Sequence, residues 1–419
     1  STSSLASAEL VAIASSSARA RIESIAAGGL GLARLPSGEI VFLSRVIDGE
    51  LVSLRTGPTA RAAALERIVE PSTHRVVPAC PFAQSCGGCD FMHIDSDHQT
   101  LLHTQIVETL LRHACGSCPP VTVHAPSAAL RYRSRARFSL RFDKGKARFG
   151  YRAHAAREVV AVDDCLVLHE DLVRAASLVT SFVAGGRGEA DLSVAFGARA
   201  GTRLPVIDLS MTSDPPPRFI AQIAEACGET GVLAGARVSL AGALRPLVFG
   251  DPRSVQPGAD GMPIAIRAGG FAQASDEGAL LLATRAADLA RPEGLAVFEL
   301  FSGSGTLSVA IARGARTFTS VEEDSEAVAC ARQNFEARGL TGKLRVGNAE
   351  ETELPAQLDM VVLDPPRAGA PGAVRAIVKA KPKRVVYVSC DPPTLARDLK
   401  TLVAGGYALE AVETVELFP

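Results

Sequence analysis

From about Ile264 onward the chain alternates short apolar runs with longer amphipathic stretches. Five runs, Leu295–Leu300, Thr317–Glu322, Leu344–Asn348, Asp359–Leu363 and Arg384–Cys390, end in or lead straight into polar, glycine or thiol residues. That alternation restricts the fold to a parallel sheet with helices on both faces, because parallel neighbours need a crossover and both faces must be covered. In open sheets of this class ligands gather outside the carboxyl ends of the strands, so the residues that follow each run carry the chemistry.

The last run ends in Ser389-Cys390-Asp391-Pro392-Pro393-Thr394, a thiol entering a Pro-broken turn before a helix over Thr394-Leu-Ala-Arg-Asp-Leu-Lys400. A Cys at that edge is a candidate nucleophile. Thiols are activated where a helix N-terminus or a cation raises the local potential, and Arg367 and Arg397 are the cations to consider. The plainer reading is a buried Cys serving as a small apolar residue.

The first run enters Phe301-Ser-Gly303-Ser-Gly305-Thr306, and Leu307–Ala312 then reads as a helix. Gly303 and Gly305 allow a ligand to approach the backbone, although a Gly-x-Gly pair is also an ordinary tight turn. The second run ends in Glu322, 17 residues after Gly305, near the spacing of about 20 at which an acid meets ribose hydroxyls. Together they point to a nucleoside ligand. Two features favour S-adenosylmethionine over a dinucleotide: the turn lacks a third glycine, and another strand runs into Asp364-Pro365-Pro366-Arg367, a methyltransferase signature. Asp364 could instead simply start a turn before Pro. Asn348, closing another run, would lie near an adenine.

A separate constellation is Cys80-Pro-Phe-Ala-Gln-Ser-Cys86-Gly-Gly-Cys89, with Cys165 far downstream. Four thiolates can hold zinc or an iron–sulfur cluster. Spacings of five and then two residues match neither zinc-ribbon pairs nor the radical S-adenosylmethionine motif, so a cluster is favoured and zinc is the alternative. Gly87 and Gly88 would let backbone N–H groups approach inorganic sulfide. Cys115, Cys118, Cys227 and Cys330 are read as structural.

A net charge of −1 excludes a protein that coats nucleic acid by bulk charge, so RNA binding must come from a local patch. Between Arg131 and Arg157 stand ten cations (Arg131, Arg133, Arg135, Arg137, Arg141, Lys144, Lys146, Arg148, Arg152 and Arg157) against the single acid Asp143. Tyr132, Phe138, Phe142, Phe149 and Tyr151 are interleaved among them. Arg131, Arg133, Arg135 and Arg137 are the candidate RNA contacts, with the aromatics as stacking platforms; the alternative is an edge strand protected by charge. Ser1–Leu10 lacks a basic n-region, no run of about 18 apolar residues occurs, and nine cysteines cluster around these motifs. A cytoplasmic, monomeric protein without membrane spans is expected.

Residues 20–69 alternate short apolar runs with glycine turns at Gly28-Gly-Leu-Gly31, Ser37-Gly38 and Asp48-Gly49, the pattern of a small oligonucleotide-binding type β-barrel. His98–Ala114 reads as an amphipathic helix.

Three elements, the cysteine motif with Cys165, Asp364-Pro-Pro-Arg367, and Ser389-Cys390-Asp391-Pro392 followed by Thr394-Leu-Ala-Arg-Asp398, give the chain its resemblance to the RNA uracil-5 methyltransferase family, in particular its iron–sulfur members with a TRAM domain. The resemblance runs from about Arg21 to Pro419. It implies an α/β fold: a Rossmann-like methyltransferase domain (95–125 and 261–419), an OB-like TRAM barrel (15–72) and a mainly β iron–sulfur and RNA-binding domain (73–94 and 126–260). It implies that Cys390 attacks C6 of a uridine while Asp364 orients base or nucleophile, and that Gln273, Phe301, Gly303, Gly305, Thr306, Glu322, Asn348 and Asp364 serve the cofactor side. A 4Fe–4S cluster on Cys80, Cys86, Cys89 and Cys165 would shape the RNA surface. Large-subunit (23S) rRNA is the favoured substrate, ahead of tRNA at its thymine loop. An RNA-binding module with lost catalysis and a radical methylthiolation enzyme are the alternatives. Thr306 and Ser275 stand where relatives often carry Asn. The family's general base is a Glu a few residues beyond a Phe-Pro pair; the sequence closes at Leu417-Phe418-Pro419, and the natural chain is expected to continue to that Glu.

Overall fold

Glycine turns with positive φ at Gly28 (φ 81) and Gly29 (φ 71) let the chain reverse tightly between β1 (Ser16–Ala26) and β2 (Leu30–Arg34), in conformations that only glycine adopts freely. With β3 (Ile40–Ser44), β4 (Leu51–Thr56) and β5 (Ala64–Glu70) these strands form one antiparallel sheet in the order β3-β2-β1-β4-β5. Inward residues Ile22, Val41, Leu43, Val52 and Leu54 make its core. Glu50 is fully buried beside them; burial alone would raise its carboxyl, but hydrogen bonds from Arg75 and from the Ile47 and Ser72 amides hold it below the ordinary range.

The computed structural model describes residues 16–56, 63–125, 130–143, 145–154, 156 and 158–417. They divide into two compact units, those of 1–78 with 90–102, which contain this sheet, and those of 79–89 with 103–419. Helix α1 covers Ser96–Cys115.

In the larger unit, β7 (Arg135–Asp143), β8 (Lys146–Arg152), β9 (Val159–Ala161), β10 (Ala190–Arg199), β11 (Thr202–Met211), β12 (Gly235–Ser239) and β13 (Leu247–Gly250) form a mixed sheet ordered β13-β12-β11-β10-β7-β8-β9. Its helices are α2 (Glu170–Phe182) and α3 (Phe219–Ala226). The hairpin β14 (Ser254–Pro257) with β15 (Pro263–Ile266) and helix α4 (Asp276–Ala290) lead into the C-terminal part of the chain.

There β16 (Ala296–Leu300), β17 (Thr317–Glu322), β18 (Lys343–Val346), β19 (Met360–Leu363) and β20 (Arg384–Tyr387) form the expected parallel sheet, ordered β18-β17-β16-β19-β20. Its central strands are apolar on both faces because helices cover both. Val297, Met360 and Val362 pack with residues of α4, α5 (Ser308–Ala312) and α6 (Ser325–Glu336). Phe298, Leu300, Val361 and Leu363 pack with residues of α7 (Pro371–Ala380) and α8 (Pro392–Ala404). Strand order reverses between β16 and β19, which opens the crevice where ligands of such sheets sit. Finally β21 (Val412–Val415) pairs in parallel with β6 (Val121–His124).

Around Cys390 two boundaries differ from expectation. Strand β20 stops at Tyr387 rather than Cys390, and α8 starts at Pro392 rather than Thr394, because prolines in the first helical turn have no N–H to leave unpaired. Among the described residues no helix is long and apolar enough to cross a membrane.

Candidate active site

The carboxyl ends of the five parallel strands set out one row of polar groups. Behind β16 the backbone turns sharply. Phe301 adopts φ 60°, and Gly303 and Gly305 follow at 54° and 90°. The left-handed conformation at Phe301 disfavours side chains with a Cβ. A Cβ at Gly303 would meet nothing within 4 Å, so space adjoins this backbone. The turn is held from three sides. Glu322, at the end of β17, accepts from Gly303 N–H at 2.9 Å and from Asp324 N–H at 3.0 Å. Buried Asn334 of α6 donates from Nδ2 to Ser304 O at 2.9 Å and Ala265 O at 2.8 Å. Beneath it, buried Glu299 accepts from the Ser308 hydroxyl, and burial, helped by the charges of Asp364 and Glu322, pushes its carboxyl up to about 8.

Asp364 follows β19, one strand beyond β16. It makes no hydrogen bond or ion pair among the described residues, and loss of water pushes its carboxyl up to about 6. Asn348, by contrast, is exposed and spends its side-chain oxygen on Glu350 N–H at 2.9 Å, capping the short turn Ala349–Glu351. Thr306 is half-buried in the glycine turn. Gln273 lies in the loop before α4, where its carbonyl accepts from Gln256 Nε2 at 2.8 Å. Ser275 caps α4, accepting from Gly278 N–H at 3.0 Å, a role that a hydroxyl performs as well as an amide side chain.

Cys390 is exposed. Asp391 caps α8 by accepting from Thr394 N–H at 2.9 Å, so the thiol sits immediately before a helix N-terminus. Arg397 does not serve as a free cation there: it donates to the Asp398 carboxylate and to Ala368 O at 2.8 Å. Arg367 is exposed.

The cysteine motif and the arginine segment meet in one neighbourhood. Burial pushes the Cys89 thiol up to about 12, against the nearby charge of Arg133, and Cys165, Cys86 and Cys80 each add to the rise. Cys80, Cys86 and Cys165 therefore each lie within electrostatic reach of Cys89. Tyr151 OH stands 3.8 Å from Cys165 Sγ, and Gly88 N–H donates to Cys86 Sγ at 3.4 Å. A Cβ at Gly87 would come within 2.8 Å of Arg152 O, so this backbone approach requires glycine. The Tyr132 hydroxyl, which feels Cys89 and Cys165, is buried without a hydrogen-bond partner. Thiols within reach of Cys89, a glycine cradle and an orphan hydroxyl are features an iron–sulfur cluster would use. Among the described residues no group of three or more His, Cys, Asp or Glu side chains is already arranged as a metal site.

The four predicted RNA-contacting arginines are mostly engaged within the protein. Arg131 has φ 57° and forks onto Asp164 at 2.7 and 2.6 Å, with further bonds to Cys165 O and Leu168 O. Arg133 is bonded through its backbone to Val167 and His169 and lies beside the cysteines. Arg135 donates to Gly270 O at 3.4 Å, and burial lowers its guanidinium to about 10. Only Arg137 of the four projects from β7 into solvent, beside Asp191 at 2.9 Å. The expected stacking platforms also need correcting. Strand alternation turns side chains to opposite faces. Phe138 and Phe149 point inward, where they are buried edge-to-face at 4.8 Å, and the outer face carries Arg137, Arg141, Lys146, Arg148 and Arg152 instead. Lys144 and Arg157 lie outside the described residues.

Several residues of the site are not evident from the sequence. Glu299 carries a signal, a charge inside an otherwise apolar central strand. Asn334 and Tyr387 act through folded contacts that spacing does not encode.

A family model described as Conserved hypothetical protein 95 matches residues 287–402. The chain is 32% identical, over 95% of its length and 92% of the relative's, to an uncharacterized RNA methyltransferase of Gloeobacter violaceus. It is also 32% identical, over 93% of both chains, to the 23S rRNA (uracil(1939)-C(5))-methyltransferase RlmD of Dichelobacter nodosus. Its fold matches the Pyrococcus abyssi tRNA (uracil-54, C5)-methyltransferase, solved in complex with S-adenosyl-L-homocysteine, with a TM-score of 0.70 over 96% of this chain and 97% of that one at 19% identity. With the glycine turn, Asp364 and Cys390 ranged along one sheet edge and relatives of this identity along nearly its whole length, the chain belongs to the RNA uracil-C5 methyltransferase family.

Proposed function

We propose that this protein methylates C5 of a uridine in RNA, with large-subunit ribosomal RNA as substrate and Cys390 as nucleophile. The observation that carries the reading is the exposed Cys390 thiol at the carboxyl end of the sheet, one strand from the partnerless Asp364 carboxyl and two from the glycine turn.

Uracil C5 is a poor nucleophile until a bond at C6 interrupts its conjugation. Cys390 Sγ supplies that bond, and C5 then carries the electron pair that accepts a methyl group. Asp364 holds the pyrimidine against the thiol, and exposed Phe271 offers a face on which an unstacked base can lie. Gly303, Gly305, Phe301, Thr306, Glu322, Asn348 and Gln273 would hold S-adenosylmethionine, which supplies the methyl group. Loss of the C5 proton to a base then lets the thiolate leave. Cys80, Cys86, Cys89 and Cys165 would hold a 4Fe–4S cluster; methyl transfer moves no net electron, so its role is to join the Cys165 segment to the Cys80–Cys89 loop. Arg137 and the exposed cations of β7 and β8 meet RNA phosphates. The domain division is 15–72, 73–94 with 126–260, and 95–125 with 261–419.

The test is transfer of labelled methyl to separated ribosomal and transfer RNA by the anaerobically purified natural chain, beside Cys390→Ala. The expected result is 5-methyluridine in ribosomal RNA and a loss of roughly 10⁴-fold or more in the variant. Retention of methylation by Cys390→Ala would overturn the assignment.

A further inference from the structure

Two turns must be held at a fixed separation if a thiol on one is to meet a base oriented by a carboxyl on the other. The Asp364–Ala370 turn and the Ser389–Asp391 turn follow neighbouring strands, and both are tied to α8. Asp398, on that helix, is only 2% exposed. One carboxylate oxygen accepts from Ala370 N–H at 2.7 Å, at the far end of the Asp364 turn, and from Tyr387 OH at 2.7 Å, at the last residue of β20 before the Cys390 turn. The other oxygen accepts from Arg397, whose guanidinium also donates to Ala368 O. One helical turn earlier, Thr394 Oγ donates to Arg367 O at 3.0 Å while its N–H binds Asp391. The space between is filled: Gly369 has φ 76°, and a Cβ there would come within 2.4 Å of Arg397 and 2.5 Å of Asp398.

A buried carboxylate receiving donors from three elements is costly to leave half-satisfied, so such a group persists where its geometry is used. Asp398 touches neither thiol nor Asp364 side chain. Its bonds instead set where each turn stands. We propose that Asp398, with Tyr387, is a positioning residue that fixes the Cys390 turn relative to the Asp364 turn; this rests on the reading of Cys390 as nucleophile.

The test separates the rate per competent site from the number of competent sites. A 23S rRNA transcript made with 5-fluorouridine is mixed with the natural chain and S-adenosylmethionine. The Cys390 thiolate forms the bond to C6 and C5 takes the methyl group, leaving S-adenosylhomocysteine. Fluorine at C5 provides no proton to lose, so the C6–S bond stays and the adduct can be counted. Asp398→Asn keeps the shape but replaces one accepting oxygen with a donor. It is expected to slow adduct formation roughly 10- to 100-fold, and Tyr387→Phe is expected to slow it less. The final adduct fraction and the affinity for S-adenosylmethionine should stay within about twofold, since α8 does not carry the glycine turn. A parental rate in Asp398→Asn overturns the proposal. So does a reduced adduct fraction whose surviving sites react at the parental rate, the mark of a merely structural role. If Asp398→Asn does not fold, Tyr387→Phe decides alone, and a parental rate there overturns it. Adduct with Cys390→Ala would overturn the nucleophile reading, and this proposal with it.

Discussion

At the carboxyl edge of the parallel sheet, the polar side chains grip turn backbones: Glu322 holds Gly303, Asn334 holds Ser304, and Asp391 holds Thr394. Along Arg131–Arg137 guanidinium groups are themselves taken up by carboxylate and carbonyl oxygens: Asp164 and Leu168 for Arg131, Gly270 for Arg135. The first arrangement leaves Cys390 exposed and Asp364 unengaged, whereas the second consumes most of the positive charge it starts with. A local cap can be satisfied without drawing in a neighbouring functional group. A long cation near internal carbonyls and carboxylates is captured by whichever lies within reach.

The sharpest test of the unengaged edge is Asp364→Asn. If the ionised carboxylate orients the base, kcat should fall roughly 10²- to 10³-fold. The carboxyl lies at about 6 in the free protein, so kcat/KM of the parent should drop as pH falls below about 6, and this acid limb should be absent from the variant. A parent profile flat from about pH 5 to 8 would break the assignment.

The arginine side of the contrast rests on a pair of substitutions. Arg131→Ala strips Asp164 and two carbonyls of their donor. It should cost about 2 kcal/mol locally, seen as faster amide exchange over 164–169. Arg137, paired at the surface with Asp191, gives the opposite profile. Its replacement by Ala should alter stability by less than about 0.5 kcal/mol, while lowering the salt dependence of RNA binding by about one ion. The opposite assignment of effects would mean that the captured cation is the one that reads phosphate.

The smallest expected effect concerns Glu299. Its carboxyl is raised from 4.5 to about 8, so between those values the folded state holds a proton that the unfolded state releases. Stability from this group is therefore lost as pH rises from 4.5 to about 8. Glu299→Gln should leave the melting midpoint unchanged near pH 4 and raise it by roughly 2–4 °C at pH 9. An equal rise at both pH values would show that the buried charge is not the cause.

The parallel sheet was legible because its signals are local: apolar runs of strand length, Pro in the first turn of α8, and glycines where φ must be positive. The placement of Cys390, Glu322 and Asp364 at the sheet edge was legible for the same reason, since each stands at or shortly after a strand end. The arginine segment was not. On β7 strand alternation turns Arg137 outward and Phe138 inward. Whether an outward cation meets solvent or a folded-back loop depends instead on partners far along the chain, such as Asp164 for Arg131 and Gly270 for Arg135. The same reason hid the contacts of buried Asp398, whose donors Ala370 and Tyr387 only the fold brings to it.

The pairing of β6 with β21 has a consequence in time. His124 and Glu413, joined at 2.8 Å across that pair, stand far apart in the chain, with |i−j| of 289. At ribosomal synthesis rates, β6 therefore waits on the order of a minute or less for this strand partner. Throughout that interval it presents an unpaired edge bearing Val121 and Val123, a target for chaperones or for a second nascent chain. The catalytic half closes this seam only after the strands of its parallel sheet have been made.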